Sequence, residues 1–151
     1  MKDMPTEKEI LFTGFSEADR GEFVEMGREV RVKTHDMVLA EGDPGGSMYI
    51  IEEGKVSIWF KGSKLADLGR GDTLGTMVVL TAHQRTATVR AESDVTVLEF
   101  SRDEIMNFFK RKPPRLFQQF FVNLAKIQIN LTTRANRRIM DLDRRLREQG
   151  S

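Results

Sequence analysis

Between residues 29 and 100 the apolar positions recur with a period of two. Val30 and Val32 alternate with Arg31 and Lys33, and Val56, Ile58 and Phe60 alternate with Lys55, Ser57, Trp59 and Lys61. Short apolar runs fill 37–40, 48–51, 87–91 and 94–100, and Leu65 and Leu68 mark one more strand. Turn chemistry separates them at 41–46, at Glu53 and Gly54, at 61–63 and at 69–72. About eight short strands at regular spacing predict an antiparallel β-roll or jelly roll. The period breaks at 75–84, a stretch too long for a tight hairpin. Residues 75–80 there read as a helical turn entered through Gly75, the kind of break where a ligand-binding element is inserted.

Helical spacing brackets the strands. Thr6 and Glu9 have capping-box spacing ahead of Ile10, Leu11 and Phe12, and Ser16 with Asp19 opens a second helix that carries Phe23 and Met26. Ser101 and Glu104 open a third, with Ile105, Phe108 and Phe109 on one face. Pro113 stops it and Pro114 starts the next, which meets no Pro or Gly before Glu148. That helix would be a rod of roughly 50 Å. Phe117, Phe120, Leu124, Ile127 and Leu131 step by 3, 4, 3, 4 along it; after a second four-residue step to Ala135 the stripe resumes at Ile139, Leu142 and Leu146. A second copy of the same helix would cover this stripe, so a homodimer through residues 115–146 is expected. The division expected is residues 1–112 as the roll with its helices and 113–151 as a dimerising helix. The phenylalanines from Phe108 to Phe121 read as core and dimer packing.

Composition narrows the function classes. The 151 residues contain no Cys and two His, His35 and His83. Disulfides, thiolate metal sites, a cysteine nucleophile and a multi-histidine metal cluster are excluded. No nucleophile–base pair emerges, so an enzyme is not expected, and both histidines read as exposed turn residues. No apolar run approaches ~18 residues, the first nine residues carry no apolar signal segment, and a cytoplasmic protein without membrane association is expected. Charge is uneven: 12 Lys/Arg against 18 Asp/Glu over 1–100 (−6), then 12 against 5 over 101–151 (+7). Asp141 and Asp143 interleave the arginines of the last helix, which favours a solvated or partner-facing surface over a nucleic-acid site.

The candidate chemistry lies in residues 69–91, GRGDTLGTMVVLTAHQRTATVRA. Gly75 lets the backbone approach a ligand closely. The amides of Thr76, Met77 and Val78 start the short helix and offer donors to an anion. Arg85 adds a forked, permanently charged phosphate partner, and Thr86 and Thr88 add hydroxyls. The combination suits one phosphate held inside a barrel.

With these residues the chain resembles the cyclic nucleotide-binding domains of the catabolite-activator and protein-kinase-regulatory type, over residues ~6–135. The marks are residues 41–51 (EGDPGGSMYII), 54–56 (GKV), Gly71 and Asp72, Leu74 and Gly75, and 85–89 (RTATV). The resemblance implies that Arg85 binds the cyclic phosphate with the amides after Gly75, including those of Thr76 and Met77, and with the backbone of Ala87. Thr86 matches a position where threonine often accompanies guanine selectivity. The long helix matches one that dimerises bacterial members and closes over the base, with Asn130, Thr132 and Thr133 as its polar candidates. The regulatory ligand implied is cAMP or cGMP, and no other cofactor is expected.

Two departures qualify what the resemblance implies. Members that bind nucleotide carry a glutamate directly after the cassette glycine, for the ribose 2′-hydroxyl; here that position is Thr76. A charge-assisted hydrogen bond of about 1.5–3 kcal/mol is lost or weakened, or roughly 10- to 150-fold in affinity. The bacterial transcription factors also continue into a helix-turn-helix domain, for which the few residues after Leu146 leave no room, so DNA is not an expected partner. The leading expectation is a non-enzymatic, homodimeric cyclic nucleotide sensor that signals to a protein partner. The alternative is an adaptor that kept the fold and lost the nucleotide, and a third reading is an unusual nucleic-acid-binding dimer.

Overall fold

Each helix entrance expected from a capping signal is a working cap. Thr6 Oγ1 accepts from the Glu9 amide at 3.2 Å, Ser16 Oγ from the Asp19 amide at 3.1 Å and Ser101 Oγ from the Glu104 amide at 3.2 Å. These begin α1 (Glu7–Leu11), α2 (Glu17–Glu25) and α3 (Arg102–Lys110). In this computed structural model residues 5–40, 45–79 and 87–149 are described, with the side chains of 77, 78, 130–139 and 142 outside the description.

Eight strands lie between α2 and α3: β1 (Arg28–Val32), β2 (Met37–Leu39), β3 (Ser47–Glu53), β4 (Val56–Phe60), β5 (Ser63–Leu68), β6 (Thr73–Leu74), β7 (Thr88–Ala91) and β8 (Val95–Ser101). They form two four-stranded antiparallel sheets, ordered β1-β8-β3-β6 and β2-β7-β4-β5. This is the expected β-roll with flanking helices.

At β3 the first sheet is covered on both faces, which explains the unbroken apolar run there. Met48, Ile50 and Phe100 face a cluster built with the helices, while Ile51, Val95 and Val97 face the second sheet. Val56, Leu68, Val89 and Ala91 close that inter-sheet core from the other side.

The helical cluster is aromatic and centres on Phe23, which is fully buried. Its ring lies 5.1–6.4 Å, centroid to centroid, from those of Phe12, Phe15, Phe100, Phe108, Phe109 and Phe120. Such pairs add about 0.5–1.5 kcal/mol each beyond the area they bury, so α2, α3 and the last helix are fixed to β8 through one residue.

The last helix, α4 (Pro114–Gln149), is 36 residues long. The first half of its apolar stripe is covered within the chain rather than by a second copy. Phe120, Leu124 and Ile127 are buried in the chain's own helical cluster with Leu116, and Phe117 packs partly against it. Helices α1, α2 and α3 with β8 supply enough apolar surface to cover the first half of the stripe without a second copy. Among the described side chains of α4 the exposed large apolar ones are Phe121, Val122, Ile129, Met140 and Leu146, the last of which belongs to the expected stripe. At 3.6 residues per turn, Val122, Ile129 and Met140 share the side opposite Ile127.

Candidate functional site

The approach to Gly75 is held by a tight hydrogen-bonded turn. The Gly69 amide donates to Asp72 Oδ2 at 2.9 Å and the Asp72 amide to Gly69 O at 3.0 Å. Gly71 has φ +88°, and its amide donates to Ile51 O at 2.8 Å while the Ile51 amide donates to Asp72 O at 2.9 Å. β6 then pairs with β3, Leu74 opposite Tyr49 and Thr73 opposite Ile50.

Gly75 follows with φ +69°, in the left-handed region that favours glycine. The chain turns there into a 3-10 turn, Thr76–Val79, matching the helical turn expected at this break. Thr76 is buried at 4% exposure, and Val79 is buried in the helical cluster beside Leu124 and Ile127. The Met77 backbone belongs to the same turn. Arg85, Thr86 and His83 lie outside the described residues, as do residues 41–44. The chain is described again at Ala87, half-buried at the bend that leads into β7.

Both ends of the segment therefore converge on one core. Leu74, next to Gly75, and Val89, two residues after Ala87, are buried in the same inter-sheet cluster. They sit on different sheets, β6 beside β3 in the first and β7 between β2 and β4 in the second. Thr132 and Thr133 fall within α4, and their side chains lie outside the described residues, as does that of Asn130.

α4 is fixed at its start by charge. Lys112 Nζ is 2.9 Å from Asp19 Oδ1 and 3.2 Å from Glu22 Oε2, and 5.3 Å from the centroid of the Phe108 ring. The hydrogen bond to Asp19, then that to Glu22, holds the lysine above its usual range; the bond from Lys112 holds the Asp19 carboxyl below its own.

Two features of this region are absent from the sequence reading. One is the buried hydrogen bond from Thr73 Oγ1 to Glu7 Oε2, at 2.7 Å. The other is Asn123, fully buried on α4 and bonded to the carbonyls of Leu11 and Thr13. The available signal was a polar residue between Phe120 and Leu124, on the buried side of an amphipathic helix. His35 is an exposed turn residue, as expected, at φ +76° with Arg90 Nη2 3.0 Å from its Nδ1. Among the described residues no group of His, Asp and Glu could hold a metal ion, and no helix is long and apolar enough to cross a membrane.

The sequence model of the cyclic nucleotide-binding domain matches residues 29–112, more than half of the chain. The chain belongs to the cyclic nucleotide-binding domain family. Solved structures agree on the fold. A cyclic nucleotide-binding domain from Methylobacillus flagellatus superposes with a TM-score of 0.80 at 22% identity, over 88% of this chain and 80% of that one. The catabolite activator protein of Thermus thermophilus gives a TM-score of 0.73 at 22% identity, over 89% of this chain and 63% of that one. Among curated proteins, the cGMP-dependent protein kinase egl-4 of Caenorhabditis briggsae is 28% identical over 123 residues. That match covers 80% of this chain and 16% of the kinase. The cyclic nucleotide-binding domain is a ligand-binding, regulatory unit.

Proposed function

We propose that this chain is a non-enzymatic sensor of cAMP or cGMP in the cytoplasm, acting as a homodimer through α4. The observation that carries the reading is the turn at Gly75. A left-handed glycine follows β6 and opens a short helical turn, in a chain of the cyclic nucleotide-binding family. Arg85 is the phosphate partner, supported by the amides of Thr76 and Met77 and the backbone of Ala87, with Thr86 beside the base. Thr132 and Thr133 on α4 meet the base edge. The ligand shifts α4 by its difference in affinity for two positions of that helix, and the shift is passed to a protein partner.

In the dimer, Val122, Ile129 and Met140 meet their counterparts, since Phe120, Leu124 and Ile127 on the other side of α4 are already covered within the chain. Thermal shift with cAMP and with cGMP tests the proposal. Ligand at 100 times its dissociation constant adds about 2.7 kcal/mol, roughly 5–10 °C for a chain of this size. No shift with either nucleotide at millimolar concentration would refute it.

A second reading is favoured by one observation. Thr76 is buried and neutral where nucleotide-binding members carry a carboxylate. On that reading the chain is an adaptor that keeps the fold and the dimer and does not respond to nucleotide.

A further inference from the structure

Helix α1 is five residues long and is fastened at each end to a different part of the candidate site. At its N-terminal end the Lys8 amide donates to Gly71 O at 2.8 Å, and Thr73 Oγ1 donates to Glu7 Oε2 at 2.7 Å. Glu7 and Thr73 are 4% and 1% exposed. Gly71 lies against Thr6, so closely that a Cβ there would stand 2.9 Å from Thr6 Cβ. Thr73 begins β6, two residues before Gly75.

At the other end, Asn123 Nδ2 donates to Leu11 O and to Thr13 O, both at 2.9 Å, and its Oδ1 accepts from Gln119 Nε2 at 2.9 Å. The end of α1 is where carbonyls run out of intrahelical partners, and a side chain of α4 supplies them. Gly14, at φ +83°, rests on Gln119, with 2.9 Å between an ideal Cβ and Gln119 Cγ.

We propose that α1 is a rigid strut coupling the cassette to the long helix, with Glu7, Thr73 and Asn123 as its positioning residues. Hydrogen bonds are directional, and breaking either end strands buried polar groups. A displacement of β6 is therefore carried to α4 near Asn123 with its direction kept. Val79 of the short turn belongs to the same apolar cluster as Leu124 and Ile127, so the direct approach of that turn to α4 is apolar; apolar packing is non-directional and can slide. What the strut transmits rests on the nucleotide reading above; the strut itself does not.

The test is amide hydrogen exchange on the unliganded full chain, comparing wild type with Thr73→Val, Thr73→Ser and Asn123→Ala. Thr73→Val should raise exchange in α1 and in α4 over residues 119–127, relative to β8. The rise should be roughly fivefold, the scale that one net buried hydrogen bond sets. Thr73→Ser, which keeps the hydroxyl, should stay near wild type. Asn123→Ala should raise exchange over residues 71–76 by a similar factor, although it touches neither β6 nor the turn before it. An effect of Thr73→Val confined to β6 and α1 would overturn the proposal. So would an equal rise across β3, β8 and α4, which would report only lost global stability. Nucleotide is absent throughout, so a failed nucleotide titration and a failed strut are separate results.

Discussion

The substitution Ile129→Glu probes the face through which α4 is proposed to pair. Ile129 is 64% exposed in the single chain, with Val122 and Met140 on the same side at 47% and 70%. Full burial of an isoleucine side chain is worth about 1.5–3 kcal/mol. The exposed two thirds of Ile129 therefore leave about 1–2 kcal/mol to be gained on pairing. A two-fold dimer counts the residue twice, so the contribution is about 2–4 kcal/mol, or roughly 30- to 1,000-fold in the dimer dissociation constant. Sedimentation equilibrium over a concentration series reads this directly. Ile127→Ala is the control: Ile127 is fully buried within the chain, so it should cost about 2–5 kcal/mol of stability and leave association of the folded protein unchanged. The reasoning is refuted if Ile129→Glu leaves the association constant untouched, or if Ile127→Ala weakens association while the chain stays folded.

Gly75→Ala should destabilise the fold by about 1–2 kcal/mol, the cost of left-handed backbone for a residue with a Cβ, seen as a lower urea midpoint with an unchanged slope. Thr76→Glu should tighten cAMP or cGMP binding roughly 10- to 150-fold by restoring a charge-assisted bond to the ribose; equal affinities by calorimetry would remove Thr76 from the ribose site. Lys112→Met should lower the melting temperature at neutral pH. Asp19 is held below its ordinary value of 3.8, so its share is present above that value and lost as pH falls through the lowered one. Lys112 is held above its ordinary 10.5, so its share is present below 10.5 and lost as pH rises through the raised one. The difference in melting temperature between wild type and Lys112→Met should be full between those two ordinary values and shrink outside them. A difference independent of pH would mean that packing on Phe108, not the ion pairs, fixes the start of α4.

Seven of the eight strands, the capped helices and the helical turn at Gly75 were legible in the sequence, because each is a local signal; the two-residue β6 was not. Capping serines and threonines, glycine turns and the switch from period two to helical spacing act over a few residues. What was not legible is what depends on partners far along the chain. The stripe from Phe117 to Leu131 has the spacing of a coiled-coil seam, and periodicity reports that a face is covered without saying by what. Here the helical cluster around Phe23 covers its first half, and Val122 and Ile129 are left exposed on the other side. Thr73 and Glu7 are 66 residues apart and Asn123 and Leu11 are 112 apart. Such pairs leave no local trace beyond a polar residue in an apolar stretch. At the site, the family resemblance supplied the residues, and the fold shows only that their flanks share a core: Leu74 and Val89 pack in one cluster from opposite sheets.

Isothermal titration of cAMP and of cGMP into the wild-type chain and into Arg85→Ala tests the central claim most directly. The account predicts saturable one-to-one binding of at least one nucleotide per chain. It also predicts a loss in Arg85→Ala of at least the roughly 10- to 150-fold that a charge-assisted phosphate contact of about 1.5–3 kcal/mol provides. Equal binding by both proteins would contradict the assignment of the phosphate site. No heat with either nucleotide at millimolar concentration would contradict the sensor reading and leave the adaptor in its place.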